Sequence, residues 1–223
     1  TEKWVFNRTR AAEILTKAGY YDDDGDPQRE YHNSTGRYEL PPLKFYIRDD
    51  DPDRLAFGQS YLLPELLGVG LPVESHIAPK TTCWEAVMKY PYDYNLYTGG
   101  WGPWRDPDYL YDMYNSKFGI DWYNAKRDWC NNYVFFTNST FDNWSNQLKF
   151  AATQELAEEP CMRCQEILMD QVPMVPGWHS AGALAYRKNY MGDETPYAGR
   201  PWTGMVNTVV ISGMGVAGLN GLW

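Results

Sequence analysis

Helical and strand-like spacings of hydrophobic residues alternate along this chain. Helical spacing of apolar residues, or an Asp-Pro start, predicts helices at 9–19, 52–67, 82–89, 107–115, 147–156 and 160–171. Alternating or short apolar segments predict strands at 43–47, 71–77, 93–98, 174–176, 183–186 and 206–212. Polar residues 22–37 predict a loop, and residues 116–145 predict a long surface excursion because they show no period. Strands that alternate with helices predict an α/β fold with a mostly parallel sheet flanked by helices.

The domain organisation follows from the same pattern. Residues 1–200 are expected to form one α/β lobe, and residues 201–223 are expected to return towards a missing partner lobe. The chain starts without a methionine and directly before a helix, so we interpret it as a segment of a longer protein. The apolar tract 206–222 is interrupted by polar residues and glycines, so it predicts no membrane-spanning segment, and no signal peptide is recognised.

Charge and aromatic content narrow the classes of partner. The net charge of −9 and the pI near 4.8 argue against nucleic acids and anionic membrane surfaces, which select for clustered Lys and Arg. Aromatic residues make up 16% of the chain and include ten tryptophans. Some of these rings are expected to line a ligand groove, where rigid amphipathic side chains supply contact area. The alternative is that they are extra core and surface aromatics.

Two features indicate a location outside the cytoplasm. Asn-x-Ser/Thr triplets, which are acceptors for N-glycosylation, begin at Asn7, Asn33, Asn138 and Asn143. The cysteines are even in number, at Cys83, Cys130, Cys161 and Cys164. They predict at least one disulfide and no bound metal, although three pairings are open. The Cys-x-x-Cys spacing could also suit redox or metal chemistry, but no second such pair completes a zinc site.

The segment 92–110 carries the main candidate site. A strand-like run breaks into a Gly- and Trp-rich turn, and Asp-Pro-Asp then begins a helix. Ligands of open α/β sheets bind where the carboxyl ends of strands meet helix starts. The predicted ligand-binding residues are Tyr97, Trp101, Trp104, Arg105 and His179. Trp104 could instead pack under the loop, Arg105 could pair with Asp108, and His179 could be structural.

The sequence contains two acidic clusters, and the first of them is a candidate cation site. Residues 22–26 place carboxylates at alternate positions, as a calcium loop does. The sixth position of an EF-hand loop would fall on Pro27 rather than Gly, and the twelfth on Asn33 rather than Glu. A solvated turn after a helix is therefore favoured, and no metal or other cofactor is predicted. Residues 49–51 are interpreted as negative charge near a helix amino terminus.

Several segments in order resemble the family 5 extracellular solute-binding proteins, which serve ABC importers of peptides, nickel and related solutes. The segments are 10–26, 43–45, 67–70, 92–110 and 165–176. The resemblance implies one lobe of a periplasmic-binding-protein-like (type II) fold that traps solute against a second lobe without catalysis. It also implies a peptide or small-molecule solute, ABC permease subunits as partners, and an extracellular or periplasmic protein anchored at the cell surface.

The turn departs from the pattern of one subgroup. Members that bind a peptide by its free amino terminus carry an aspartate shortly after the Trp that corresponds to Trp101. Residues 102–105 are Gly-Pro-Trp-Arg, so that carboxylate is missing. The spacing from Trp101 to Asp106-Pro107 resembles that of nickel-type members.

Two alternative functions remain: a carbohydrate-active or other extracellular enzyme, and a structural cell-surface module. Neither a Gly-x-Ser-x-Gly nor a His-Glu-x-x-His motif supports a hydrolase.

Overall fold

The computed structural model describes residues 5–100 and 107–177. The described residues form two compact units, the first made of 5–100 with 126–129 and the second of 107–125 with 130–177. The helices are α1 (Arg8–Lys17), α2 (Pro52–Ala56), α3 (Leu63–Gly68), α4 (Lys80–Met88), α5 (Tyr109–Tyr114), α6 (Ile120–Asn124), α7 (Ser139–Lys149) and α8 (Gln154–Gln171). The strands are β1 (Tyr20–Tyr21), β2 (Glu30–Asn33), β3 (Gly36–Tyr38), β4 (Leu43–Arg48), β5 (Val73–Ala78) and β6 (Leu96–Tyr97).

The first unit begins with helix α1, where the sequence predicts it. The Asn7 side chain caps the helix by accepting a hydrogen bond from the Arg10 amide. Gly19 follows the helix with φ +92, and a Cβ atom there would lie 2.5 Å from the carbonyl oxygen of His32. Glycine is therefore required for both its conformation and the close approach of strand β2.

Strand β2 and most of β3 lie within the predicted loop 22–37, so that prediction is wrong for residues 30–33 and 36–37. With β1 these strands form an antiparallel sheet in the order β1-β2-β3. Tyr31 of β2 pairs with Tyr20 on one side and Tyr38 on the other. The ring centroids are 4.9 Å and 6.4 Å apart, respectively. Cross-strand aromatic pairs of this kind stabilise a sheet, which explains why a segment that is polar overall still forms strands.

The second sheet of this unit is parallel, as the sequence predicts. Its order is β5-β4-β6, and both outer strands run parallel to β4. Phe45 and Ile47 of β4 are buried, which makes the central strand the core of the sheet. Strand β6 is shorter than predicted because the Asn95 side chain, rather than a backbone carbonyl, accepts the hydrogen bond of the Lys44 amide. The α/β fold class with a parallel sheet and flanking helices is confirmed.

The helix predicted at 52–67 is present and continues without a break. Asp51 caps α2, Pro52 takes its first position, and a π-helical segment at Phe57–Leu62 leads into α3. Gly58 is buried, and a Cβ atom there would lie 2.8 Å from the Cγ2 atom of Ile47. The missing side chain therefore lets this helix pack closely on β4.

The second unit has a helical core. Helices α5, α7 and α8 and the segment before α7 bury Leu110, Met113, Tyr114, Phe136, Phe141, Leu148 and Cys164 in one cluster. The predicted unperiodic excursion 116–145 instead contains a short 3₁₀ helix at Ser116–Phe118, all of α6 and the start of α7. Helix α7 begins at Ser139 because the Asn138 side chain accepts a hydrogen bond from the Phe141 amide.

The predicted helix start at residue 160 is wrong, because helix α8 begins earlier. The helix begins at Gln154, because the Thr153 side chain caps it, and Pro160 lies in its interior. A proline there removes one backbone hydrogen bond, and the packing of α8 along α7 maintains the helix. The predicted strand at 174–176 is absent because Val172 ends α8 in a left-handed conformation and Met174 packs on the core cluster. The predicted strands at 183–186 and 206–212 lie outside the described residues.

The four cysteines are free thiols, so the predicted disulfide is not observed. Their environments explain this. The Cys83 thiol donates to the carbonyl oxygen of Ala78, and the Cys130 thiol donates to that of Phe118. Cys164 is buried in the core cluster. Burial raises the pKa of Cys130 and Cys164 to about 12, which keeps both as unreactive thiols at neutral pH.

Three of the four asparagines in the glycosylation triplets have a local structural role. The side-chain oxygens of Asn7 and Asn138 cap helices α1 and α7, and that of Asn33 accepts a hydrogen bond from the Thr35 amide. These contacts account for asparagine at the three positions without a glycan. Glycosylation therefore remains a prediction from the triplets alone.

Candidate functional site

The carboxyl edge of the parallel sheet is the candidate site. Strands β4, β5 and β6 are parallel neighbours and end at Arg48, Ala78 and Tyr97. Helix α2 starts just after β4, and helix α4 starts just after β5. In open α/β sheets, ligands bind at this edge because loops and helix amino termini converge there.

Arg48 and Asp50 form a bidentate ion pair at this edge. The Arg48 Nε atom donates to Asp50 at 2.9 Å and the Nη2 atom at 2.6 Å. Asp50 also accepts a hydrogen bond from the Lys80 amide at 3.0 Å, where α4 begins. The hydrogen bond from Arg48 is the main reason that the pKa of Asp50 is lowered to about 2. The pair therefore links the end of β4 to the start of α4.

Arg54 holds the chain segment that leaves β6. Its Nε atom lies 2.8 Å from the carboxylate of Asp51, and its Nη1 atom donates to the carbonyl oxygen of Thr98 at 3.3 Å. The Thr98 hydroxyl oxygen accepts a hydrogen bond from the Arg48 amide. A Cβ atom on Gly100 would lie 2.3 Å from the Arg54 Nη2 atom, so a larger residue there would have to displace the guanidinium.

Aromatic side chains lie beside these arginines. Tyr97 is half buried, and this burial raises the pKa of its hydroxyl, which is therefore a neutral phenol at pH 7. The Trp84 side chain, in α4, lies close enough to the Tyr97 hydroxyl to oppose part of this rise in pKa. The Lys80 ammonium lies 4.0 Å from the centroid of the Trp84 ring, and Trp129 meets that ring edge-on at 5.8 Å. The edge thus combines ion-paired guanidinium groups with amphipathic rings, and the rings offer contact area to the apolar part of a solute.

Of the residues that the sequence predicts for ligand binding, Tyr97 lies at this edge. The other four, Trp101, Trp104, Arg105 and His179, lie outside the described residues. Asp108, the alternative partner considered for Arg105, forms an ion pair with Lys149 at 2.9 Å.

Sequence reasoning missed three residues at the edge, namely Arg48, Arg54 and Trp84. The signal was present for the first two. Arg48 is the last residue of β4, directly after a predicted strand, and Arg54 lies in the first turn of the helix that follows. From the sequence, the acidic residues 49–51 between them are interpreted only as negative charge near a helix amino terminus. Asp50 and Asp51 in fact pair with the two arginines.

Two cavities on the first unit lie away from this edge. One has a volume of about 560 Å³ and is lined by α1, by residues after β1 and by the turn after α3, with Arg8 and Arg29 among its polar groups. The other, of about 270 Å³, is an apolar groove between α1 and α3. Arg29 already donates to the carbonyl oxygens of Val69 and Tyr20, so it serves to join these segments.

Comparison with known proteins supports the fold. No family model matches the sequence, and no curated protein matches it. NikZ from Campylobacter jejuni, solved with Ni(L-His), matches 75% of this chain with a TM-score of 0.60 and 15% identity. An oligopeptide-binding protein from Thermus thermophilus, solved with a pentapeptide, matches 78% with a TM-score of 0.59 and 15% identity. The periplasmic binding protein MelB from Agrobacterium fabrum, solved with stachyose, matches 75% with a TM-score of 0.53 and 12% identity.

The described fold is therefore shared with a segment of each of these three proteins. The chain spans 31%, 29% and 25% of the three matched chains, in the same order. At these identities, the likeness shows the fold alone. Among the described residues, no helix has the length and apolar character that a membrane crossing requires.

Proposed function

We propose that this chain is part of a non-catalytic solute-binding protein of an ABC importer, and that the carboxyl edge of its parallel sheet contacts the solute. The observation that carries the proposal is the shared fold with binding proteins solved with Ni(L-His), a pentapeptide and stachyose. The position of Arg48, Arg54 and Tyr97 at the edge where α/β sheets bind ligands supports it further.

The solute contacts combine described and sequence-predicted residues. Arg54 and Tyr97 offer a guanidinium and a phenol at the sheet edge. From the sequence we add Trp101, Trp104, Arg105 and His179 as solute contacts. The absence of a carboxylate in residues 102–105 disfavours recognition of a free peptide amine, because that ammonium needs an anionic partner. We therefore expect a peptide held by other groups, a nickel chelate or a related small solute that carries a carboxylate.

Binding is proposed to occur by closure of two lobes. Residues 1–200 supply one lobe, residues 201–223 return towards the partner lobe, and the rest of that lobe lies outside this chain. The solute favours the closed form because it contacts both lobes only there. Membrane permease subunits of the importer then recognise the closed form. We therefore propose that the protein is extracellular or periplasmic and anchored at the cell surface.

The test is to find the solute and then remove one contact. Native mass spectrometry of the whole protein that carries this chain is expected to detect a retained small molecule or peptide. Calorimetry then measures its affinity for wild-type protein and for Trp101→Ala, which is expected to lose about 1–3 kcal/mol of binding free energy. Trp122→Ala, in α6, is the matched control and is expected to bind normally.

Four outcomes would contradict the proposal or a part of it. Turnover of the bound molecule would favour the enzyme alternative, and self-assembly without small-molecule binding would favour a surface module. A Trp101→Ala protein that unfolds early but binds normally while folded would place this ring in the core. The chain alone is expected to bind solute poorly, because half of the cleft is absent. Micromolar binding by the 223-residue chain would therefore count against the two-lobe arrangement.

A further inference from the structure

The acidic segment between β1 and β2 gathers carboxylates in a way that the sequence does not reveal. Asp22 and Asp24 lie in the loop, and Glu30 is the first residue of β2. Each of the three offers one oxygen atom, and these atoms lie within 4.8 Å of one another. Ligands of one calcium ion, at about 2.3–2.6 Å from it, lie no more than about 5 Å apart. The three oxygens therefore fit the first coordination shell of such an ion.

Glu30 provides the independent sign of a missing ligand. Its side chain is 0% exposed, and its Oε2 atom accepts a hydrogen bond from the Asp23 amide at 3.2 Å. Its Oε1 atom is buried and has no hydrogen-bond partner. A buried carboxylate that is incompletely paired is costly, because water no longer solvates its charge. Its position among the aspartates points to a cation as the missing partner.

The nearest cation is Arg37, and its charge is shared among several acids. Its Nε atom lies 2.8 Å from Asp23, its Nη1 atom lies 2.9 Å from Glu39, and its Nη2 atom faces Asp24. The Nη2 atom lies 3.3 Å from the Glu30 Oε1 atom, without hydrogen-bond geometry. One guanidinium cannot neutralise all of these groups, so the cluster keeps a net negative charge around a buried carboxylate.

A second buried atom without a hydrogen bond lies at the same place. The described residues include three such side-chain atoms, and two of them are Glu30 Oε1 and His32 Nε2. The His32 ring stacks on Tyr21 with a centroid distance of 3.9 Å, and its Nε2 atom lies 3.6 Å from Asp23. The concentration of unpaired buried atoms at this loop distinguishes it from an ordinary exposed acidic turn.

We propose that Asp22, Asp24 and Glu30 bind a calcium ion, with water completing the shell. All three ligands are carboxylates, and the two loop aspartates are exposed, which suits the variable six- to eight-oxygen shell of Ca²⁺. A zinc or nickel ion would instead use His32 as a nitrogen ligand. The bound ion would tie the loop after β1 to the start of β2 and so stabilise the small antiparallel sheet.

Isothermal titration calorimetry of the chelator-treated 223-residue chain with CaCl₂, without solute, tests the proposal. One site is expected, with a Kd of about 10⁻⁴–10⁻³ M or tighter, the range of extracellular calcium modules. Asp24→Asn and Glu30→Gln are each expected to weaken binding about tenfold or more, since each removes a charged ligand. Arg37→Gln is expected to strengthen binding, because it removes the competing cation. Asp121→Asn, in α6, is the matched charge control and should bind calcium normally.

Each variant gives a result that either supports or overturns the calcium site. Glu30 is buried and its replacement could unfold the sheet, whereas Asp24 is exposed, so Asp24→Asn tests the ligand role in folded protein. Absence of calcium binding at about 10⁻² M, roughly ten times the weakest Kd expected, would overturn the proposal. So would equal losses in Asp24→Asn and Asp121→Asn, or zinc binding that requires His32 in place of calcium binding. Because no solute is present, the result is independent of the proposed transport function.

Discussion

Asn132 joins two backbone segments in the second unit, and its replacement is predicted to destabilise that unit. Its side chain is fully buried. Its amide nitrogen faces the carbonyl oxygens of Tyr114 at 3.2 Å, Asn115 at 3.1 Å and Phe136 at 2.8 Å. Its Oδ1 atom accepts a hydrogen bond from the Phe136 amide at 3.0 Å. Asn132 therefore fixes the end of α5 to the segment that precedes α7.

The cost of Asn132→Ala follows from the groups that it leaves behind. The carbonyl of Asn115 retains a hydrogen bond from the Phe118 amide at 3.0 Å. The carbonyls of Tyr114 and Phe136 and the amide of Phe136 lose the partner that Asn132 supplies. A buried polar group without a partner costs about 1–3 kcal/mol, and an amide with two hydrogens cannot satisfy three carbonyls fully. We therefore expect Asn132→Ala to lower the free energy of unfolding by about 3–5 kcal/mol.

Urea unfolding followed by tryptophan fluorescence and far-UV circular dichroism measures this loss. Asn146→Ala is the matched control, because that exposed side chain donates to the single carbonyl of Asp142 and should cost less than about 1 kcal/mol. Asn132→Asp preserves the shape but turns a carboxylate towards the three carbonyls, so it should be at least as destabilising as alanine. An Asn132→Ala protein within about 1 kcal/mol of wild type would refute the reasoning.

Three further predictions test other parts of the described structure. In an NMR titration the Asp50 carboxyl should have its midpoint near pH 2, and Arg48→Gln should move that midpoint towards pH 3.8. Because the folded protein lowers the pKa of Asp50, the ion pair stabilises the fold fully above pH 3.8, and this stabilisation is lost as the pH falls through 2. Gly58→Ala should cost about 1–3 kcal/mol in thermal or urea unfolding, because its Cβ atom would overlap Ile47, whereas Gly68→Ala, which meets only a side-chain end, should be nearly neutral. Unfolded protein should show four alkylated thiols by intact mass with or without reductant, and fewer without reductant would indicate a disulfide.

The parallel sheet could be predicted because its signals are local. Strand β4 alternates between buried and partly buried residues, and an Asp-Pro step marks the helix that follows it. The same local signals place Arg48 at a strand end. They do not pair Arg48 with Asp50, because that contact depends on how the loop turns after β4. Sequence periodicity therefore predicts which residues reach the edge, whereas the partners at the edge come from the fold.

The helices of the second unit show where local signals fail. Pro160 marks a helix start by propensity, yet α8 runs through it, because Thr153 caps the helix earlier and packing along α7 stabilises it. Residues 116–138 have no period because their order comes from individual hydrogen bonds such as those of Asn132. A buried amide that satisfies several backbone groups leaves no repeating pattern in the sequence.

The acidic loop shows why a spacing motif can miss a cation site. The EF-hand pattern measures ligand positions along the chain and asks for a glutamate at the twelfth position, where this chain has Asn33. In the antiparallel sheet, Tyr21 instead pairs with Glu30. This register brings Glu30 close to Asp22, the residue that follows Tyr21. The ninth position thus supplies the glutamate, because a hairpin rather than a helix closes the loop. A substitution that weakens the pairing of β1 with β2 should therefore weaken calcium binding even when every carboxylate is retained. Tyr31→Ala is such a change, because it removes the central ring of the cross-strand aromatic pairs. Unchanged calcium affinity in that variant would show that calcium binding does not depend on the strand register.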